Sequence, residues 1–221
     1  MKHFSKNNIA SLPSRERANL INTISGYKSV NLIATKSKEG ITNVAIFNSV
    51  IHLGSNPALL GFVMRPLTVE RHTYNNIKAT STFTINGVSE EIYRQAHATS
   101  AKYDRETSEF EKTGLTAIYQ KDFAAPFVEE SPIQLGCSYV NEYEIQENGC
   151  ILMVGAVEHL FVHESILQED HWGKLDEGNL ISIVGLDGYA LPKITDRLAY
   201  AKPNEPIKSL WHGTQESKSS H

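Results

Sequence analysis

Apolar positions change their spacing several times along the chain, and each change predicts an element. Residues 15–25 carry them at helical spacing, with Pro13 and Ser14 placed to start a helix and Gly26 to close it. From there the pattern becomes strand-like. Residues 29–35, 42–51 and 58–64 are rich in β-branched and aromatic residues, with turn residues between them (Lys38-Glu39-Gly40, then Gly54-Ser55-Asn56-Pro57). A short helical segment over 69–78 leads to a strand at 82–86. Helical spacing returns over 89–102 and 106–113, the latter ending at Gly114. Two long strand-like runs follow, 133–145 and 150–163. Gln146-Glu147-Asn148-Gly149 joins them, and Asn-Gly is a strong hairpin signal. Residues 181–184 make one more short strand. Six or seven strands with inserted helices, and no alternating strand–helix rhythm, predict a mainly β barrel or sandwich. A dinucleotide-binding α/β domain is not expected, since no G-x-G-x-x-G follows a strand and no phosphate-binding P-loop occurs. The domain is expected over 1–202. The polar, aperiodic stretch 203–221 reads as a tail, its last ten or so residues mobile.

Composition narrows the class. At 221 residues, with 40 % apolar and 21 % charged positions, the chain can bury a core without covalent staples. The longest apolar runs, 58–64 and 151–157, are far too short to cross a bilayer. No basic region followed by an apolar run opens the chain, so no secretory signal is expected and the expected location is cytoplasmic. The net charge of −4 comes without a basic block, which disfavours nucleic acid as a partner. Cys137 and Cys150 are too few for a disulfide framework and read as small buried hydrophobes.

Candidate chemistry is sparse. There is no G-x-S-x-G elbow and no reactive-cysteine signature. Among nine histidines, His159 and His163 are spaced i, i+4. On a strand that spacing separates them by roughly 13 Å, too far to share one ion, so no metal site is expected. The segment ending Arg65-Pro66-Leu67-Thr68 is more informative. A guanidinium fork and a nearby hydroxyl suit an anion, with Arg71 and Arg94 as further positive charge. The plainer alternative is that Arg65 ends a strand and Thr68 caps the next helix.

Several pieces then occur in one order: Asn43-Val44-Ala45-Ile46-Phe47-Asn48, Asn56-Pro57, Arg65-Pro66-Leu67-Thr68, Thr73-Tyr74-Asn75-Asn76-Ile77 and Phe83-Thr84-Ile85-Asn86. Glu109-Phe110-Glu111-Lys112-Thr113-Gly114-Leu115, the stretch from Ala125 to Cys137, and Val154-Gly155-Ala156-Val157 follow. In this order the chain resembles the flavin reductase-like, FMN-binding split barrel family, and within it the flavoredoxin-like proteins. The resemblance implies a six-stranded split β-barrel, a homodimer, and FMN near the subunit interface. It implies that Asn43, Ala45, Phe47, Asn48 and Ser49 lie along the isoalloxazine edge, and that Arg65, Thr68 and Arg94 lie near the phosphate. Many relatives have Ser at the position of Asn48 and His at that of Cys150.

The implied reaction is hydride transfer from NAD(P)H to flavin N5, with electrons passed on to free flavin, a metal ion or a partner protein. No side-chain acid or base is required, and no catalytic residue is singled out. Trp172, Phe127, Tyr189 and Tyr200 are candidates for stacking on a ring, with ordinary packing as the alternative for each. A tightly bound FMN electron carrier for a protein partner, or a barrel that has lost flavin and serves as a binding module, are the competing expectations.

Overall fold

The computed structural model describes residues 1–211. Two helices, α1 (Lys6–Ser11) and α2 (Ser14–Ile24), open the chain. Ser5 starts α1 with a reciprocal capping box to Asn8. Pro13, not Ser14, occupies the cap of α2, and Gly26 follows its end at φ +86°. A two-residue strand β1 (Lys28–Ser29) leads into β2 (Asn31–Lys36), β3 (Thr42–Phe47), β4 (Ile51–Ser55) and β5 (Ala58–Met64). The Asn56–Pro57 peptide in the β4–β5 turn is cis.

Next come α3 (His72–Thr80), β6 (Thr82–Gly87), α4 (Tyr93–Ala98) and α5 (Glu109–Thr113), then the short pair β7 (Ala117–Ile118) and β8 (Phe127–Val128). The hairpin β9 (Ile133–Ile145) and β10 (Cys150–Val162) matches the sequence reading almost to the residue. Its four-residue loop puts only Gly149 in the left-handed region (φ +70°), and the Asn148 and Gly149 N–H groups both donate to Ile145 O. Two single 3₁₀ turns precede β11 (Ser182–Val184) and β12 (Gly188–Ala190).

Seven antiparallel strands form the main sheet, in the order β3-β2-β6-β9-β10-β5-β4. The resemblance implies six. The difference arises at residues 42–51, which read as one strand but form two. Ser49 breaks the run: its hydroxyl donates to Val63 O (3.2 Å) and accepts from Val63 N–H (3.1 Å), tying the chain to β5. The β3 and β4 strands that result lie at opposite edges of the sheet, yet four Cα steps join Phe47 to Ile51. Those steps span at most roughly 14 Å, whereas the edges of a flat seven-stranded sheet lie roughly 29 Å apart. The sheet is therefore rolled, and it stays open because β3 and β4 share no ladder.

Register shifts at Val154/Gly155 and Val157/His159 help the long hairpin bend, so that β9 can pair with β6 along one half and β10 with β5 along the other. Gly155 is required there, since a Cβ would sit 2.4 Å from the Phe83 Cζ.

Alternation along each strand makes two cores. Inside the roll, Ile33, Phe62, Phe83, Ile85 and Met153 pack with Ile77 of α3. On the outer side of β3-β2-β6, Leu32, Val44 and Val88 pack under α4, α5 and β11. The arm after β12 also folds. Ala199 N–H donates to Lys208 O (2.9 Å) and Leu210 N–H to Arg197 O (2.7 Å), closing a small hairpin within the stretch read as a tail. The mobility expected for the last ten residues concerns 212–221, outside the described residues. Among the described residues no helix is long and apolar enough to cross a membrane.

Candidate functional site

The β3 strand is an edge, and the parity of its bonds decides what it offers. Ser37 N–H donates to Ile41 O, so residues 41, 43, 45 and 47 bond to β2 while 42, 44 and 46 direct their N–H and C=O outward. One outward group is occupied: the buried Glu109 carboxylate of α5 accepts from Val44 N–H (3.1 Å). Burial pushes that carboxyl up from its ordinary value, opposed by the hydrogen bonds to its own and the Val44 N–H groups. Among the described residues the outward groups of Ile46 have no backbone partner.

The side chains of the predicted stretch point elsewhere. Asn43 is buried and spends both amide hydrogens on Thr73 Oγ1 (3.0 Å) and Thr35 Oγ1 (3.3 Å). Asn76 also donates to Thr35 (3.0 Å), so this network pins α3 across β2 and β3. Ala45 is partly buried on the same face of the strand. Phe47 packs edge-on against Phe62 (5.2 Å), which packs on Phe83 (5.5 Å). Asn48 donates to Gly185 O (2.9 Å), fastening the β11–β12 hairpin to the end of β3. The backbone groups of Asn43, Ala45 and Phe47 bond to β2 and the Ser49 hydroxyl is shared with Val63, so the outward edge at this end of the stretch is the backbone of Ile46.

Arg65 and Thr68 follow β5 in an exposed loop, and among the described residues neither has a hydrogen bond or ion pair. The same loop runs into α3, whose cap is Arg71. No side chain caps this helix and no acidic residue lies in its first turn, so its N–H groups and dipole favour an anion. Arg71 Nε is buried without a hydrogen-bond partner. His72, Arg105 and the carboxylate of Glu70 line a small polar pocket of about 10 Å³ with Ser37, Asn43 and Thr107, room for little more than one water. A flat cofactor therefore has no place inside that pocket. The loop gathers Arg65, Thr68 and Arg71, the last of which the sequence weighed only as added charge.

Arg94 stands on α4. Ile92 and Ala96 bury the inner face of α4, and Arg94 lies roughly 200° round from Ile92, its guanidinium over Tyr93 (5.2 Å). The other ring candidates pack. Phe127 is fully buried beside Phe123 and Phe161, and Tyr189 bonds His97 Nδ1 (2.8 Å). Trp172 meets Trp211 and Arg197, while Tyr200 is exposed. His159 packs on Phe123, and His163 bonds Ser165. Cys150 is half-buried at the start of β10, its N–H donating to Asn148 Oδ1.

A family model described as the flavin reductase like domain matches residues 27–176, more than half of the chain. The chain belongs to the flavin reductase like domain family. The matched domain contains β3, the 65–71 loop, α3 and the long hairpin, while β11, β12 and the arm after them lie beyond it. A split barrel domain protein from Shewanella frigidimarina, proposed to be a flavin reductase, is 44 % identical, with a TM-score of 0.88 over 91 % of this chain and all of that one. Nitrilotriacetate monooxygenase component B from Bacillus cereus is 21 % identical (TM-score 0.77, 90 % of this chain and 98 % of that one). Flavoredoxin of Desulfovibrio vulgaris is 20 % identical (TM-score 0.67, 80 % and 92 %). These last two are similar in fold. The flavin reductase like domain family thus comes with a mainly β architecture whose solved members include split barrels.

Proposed function

We propose that this chain is an FMN-binding oxidoreductase, an NAD(P)H-dependent flavin reductase that works as a cytoplasmic homodimer. The observation that carries the reading is the loop before α3, where Arg65 and Thr68 have no side-chain partner among the described residues and Arg71 Nε is buried without one, together with the outward backbone of β3 at Ile46. The unpartnered Arg71 Nε and the uncapped start of α3 fit an anionic group at that loop. The outward N–H and C=O of Ile46 fit the alternating donors and acceptors of an isoalloxazine edge.

In this reading Arg65 and Arg71 hold the phosphate through charge-assisted bonds, and Thr68 adds a hydroxyl donor. FMN bound there supplies a two-electron acceptor at N5 for hydride from the nicotinamide. The remaining residues position. The Thr35-Asn43-Thr73-Asn76 network sets the distance between the strand edge and the helix start. The Phe47-Phe62-Phe83 ladder keeps the end of β3 from moving.

A two-fold partner is proposed for the outer face of β4, β5 and β10. Leu53 and Leu152 converge there over Gly61, and Ile51 and Leu53 are exposed. Among the described residues no element covers this face as α4 and α5 cover the outer side of β3-β2-β6. A bound yellow cofactor that is lost from Arg65→Ala and Arg71→Ala with the fold intact supports the site. Full flavin content in both variants overturns it.

A further inference from the structure

The arm beyond the family domain carries apolar surface that no other described residue covers. No residue from 191 to 211 is fully buried. Within it the small hairpin is fixed at its base. Arg197 forms an ion pair with Asp170 (2.6 Å) and lies over the Trp172 ring (4.7 Å), and Trp211 meets Trp172 edge-on at 5.6 Å. Ser209 Oγ donates to Asp196. The result is a braced hairpin whose far end displays Tyr200 at 93 % and Ile207 at 69 % exposure, beside Lys208, which has no ion pair among the described residues. A tail that merely trailed in solvent would not be clamped by two tryptophans and an arginine.

Elsewhere on the molecule lies a groove of about 460 Å³ that matches this hairpin in chemistry. It is lined by Leu67 of the 65–71 loop, Gly149 of the β9–β10 turn and Ile151 of β10, with carboxylates from Glu142 and Glu144 of β9. Glu142 is already engaged by Tyr74 (3.0 Å) and Lys78 (3.3 Å). Glu144, opposite Ile151 in the β9–β10 register, has no partner among the described residues. A groove that sets two apolar side chains, Leu67 and Ile151, beside a free carboxylate suits a tip that sets Tyr200 and Ile207 beside a free ammonium.

We infer that the hairpin of residues 196–211 from one copy docks into this groove of a second copy, with Tyr200 and Ile207 on Leu67 and Ile151 and Lys208 facing Glu144. The inference rests on the homodimer reading. Under two-fold symmetry each groove receives the other copy's hairpin, so the contact occurs twice. Leu67 sits between Arg65 and Thr68, so the docked tip borders the proposed phosphate loop, and each site is completed by its partner.

Sedimentation equilibrium of the full chain tests this. Lys208→Glu and Glu144→Lys should each raise the dimer dissociation constant by about tenfold, because a reversed charge meets its like at both contacts. The double variant should return to within about threefold of the parent, since the swapped pair is again complementary. Ile207→Asp should weaken the dimer without rescue by either charge change. Additive weakening in the double variant overturns the pairing. A stable dimer that none of these changes moves overturns the docking and leaves the homodimer standing. A parent that sediments as a monomer overturns both.

Discussion

Gly155→Ala probes the link between the bend of the sheet and the candidate site. The added Cβ would lie 2.4 Å from Phe83 Cζ, 2.9 Å from its Cε1 and 3.3 Å from Ser138 O. The first two contacts are too close for any real methyl group, so either the ring or β10 must move. The ring has little room: Phe83 is 1 % exposed, abuts Phe62 at 5.5 Å, and Phe62 abuts Phe47 at 5.2 Å. Overpacking of this kind costs about 1–3 kcal/mol. For a chain of this size that lowers the melting temperature by roughly 3–10 °C. Displacement along the ladder ends at Phe47, beside the strand edge proposed to meet the flavin, so cofactor affinity should fall with stability. Calorimetry and flavin titration of Gly155→Ala, and of Gly155→Ala with Phe83→Leu, measure both. The smaller side chain should recover most of the loss. A single variant that melts within about 1 °C of the parent refutes the claimed contact, and a double variant no better than the single refutes its cause.

Arg65→Ala should weaken FMN binding by about 1.5–3 kcal/mol, the worth of a hydrogen bond to a charged group, as read by fluorescence titration. Asn43→Ala removes the donor that Thr73 and Thr35 share, and chemical denaturation should show a loss of about 1–3 kcal/mol. Glu109 is held above the ordinary carboxylate range by burial, so the folded chain binds its proton more tightly than the unfolded chain does. The stability this gives is present at low pH and is lost as pH rises through the folded value. Glu109→Gln keeps an acceptor for Val44 N–H without the charge. It should melt higher than the parent at pH 8, with the gap closing toward pH 4; a gap independent of pH contradicts this.

Strands bounded by clear punctuation were legible in the sequence. The β5 run sits between Asn56-Pro57 and Pro66, and β9 and β10 flank Gly149, so period and turn agreed. The break between β3 and β4 was not legible, because Ser49 and Val50 suit a strand and only a bond to Val63, fourteen residues away, turns the chain. The folded arm was hidden for a related reason. Trp172, Arg197 and Trp211 are far apart in sequence, and polar residues between them look like a tail. At the candidate site, side-chain direction did not follow from residue type. Asn43 and Phe47 fall on the inner face, and Asn48 reaches Gly185 instead of the rim. Arg71 carries no spacing signal of its own and emerges only as the uncapped start of α3.

In the proposed function this chain holds a flavin that nicotinamide reduces. The most direct measurement is the visible spectrum of the purified protein under argon, before and after NADH or NADPH. Flavin absorption in the blue and near ultraviolet should bleach promptly with at least one nucleotide and return with air. Bands that bleach with dithionite but with neither nucleotide would contradict the reductase reading, and a colourless protein that takes up no added FMN would contradict the flavin site itself.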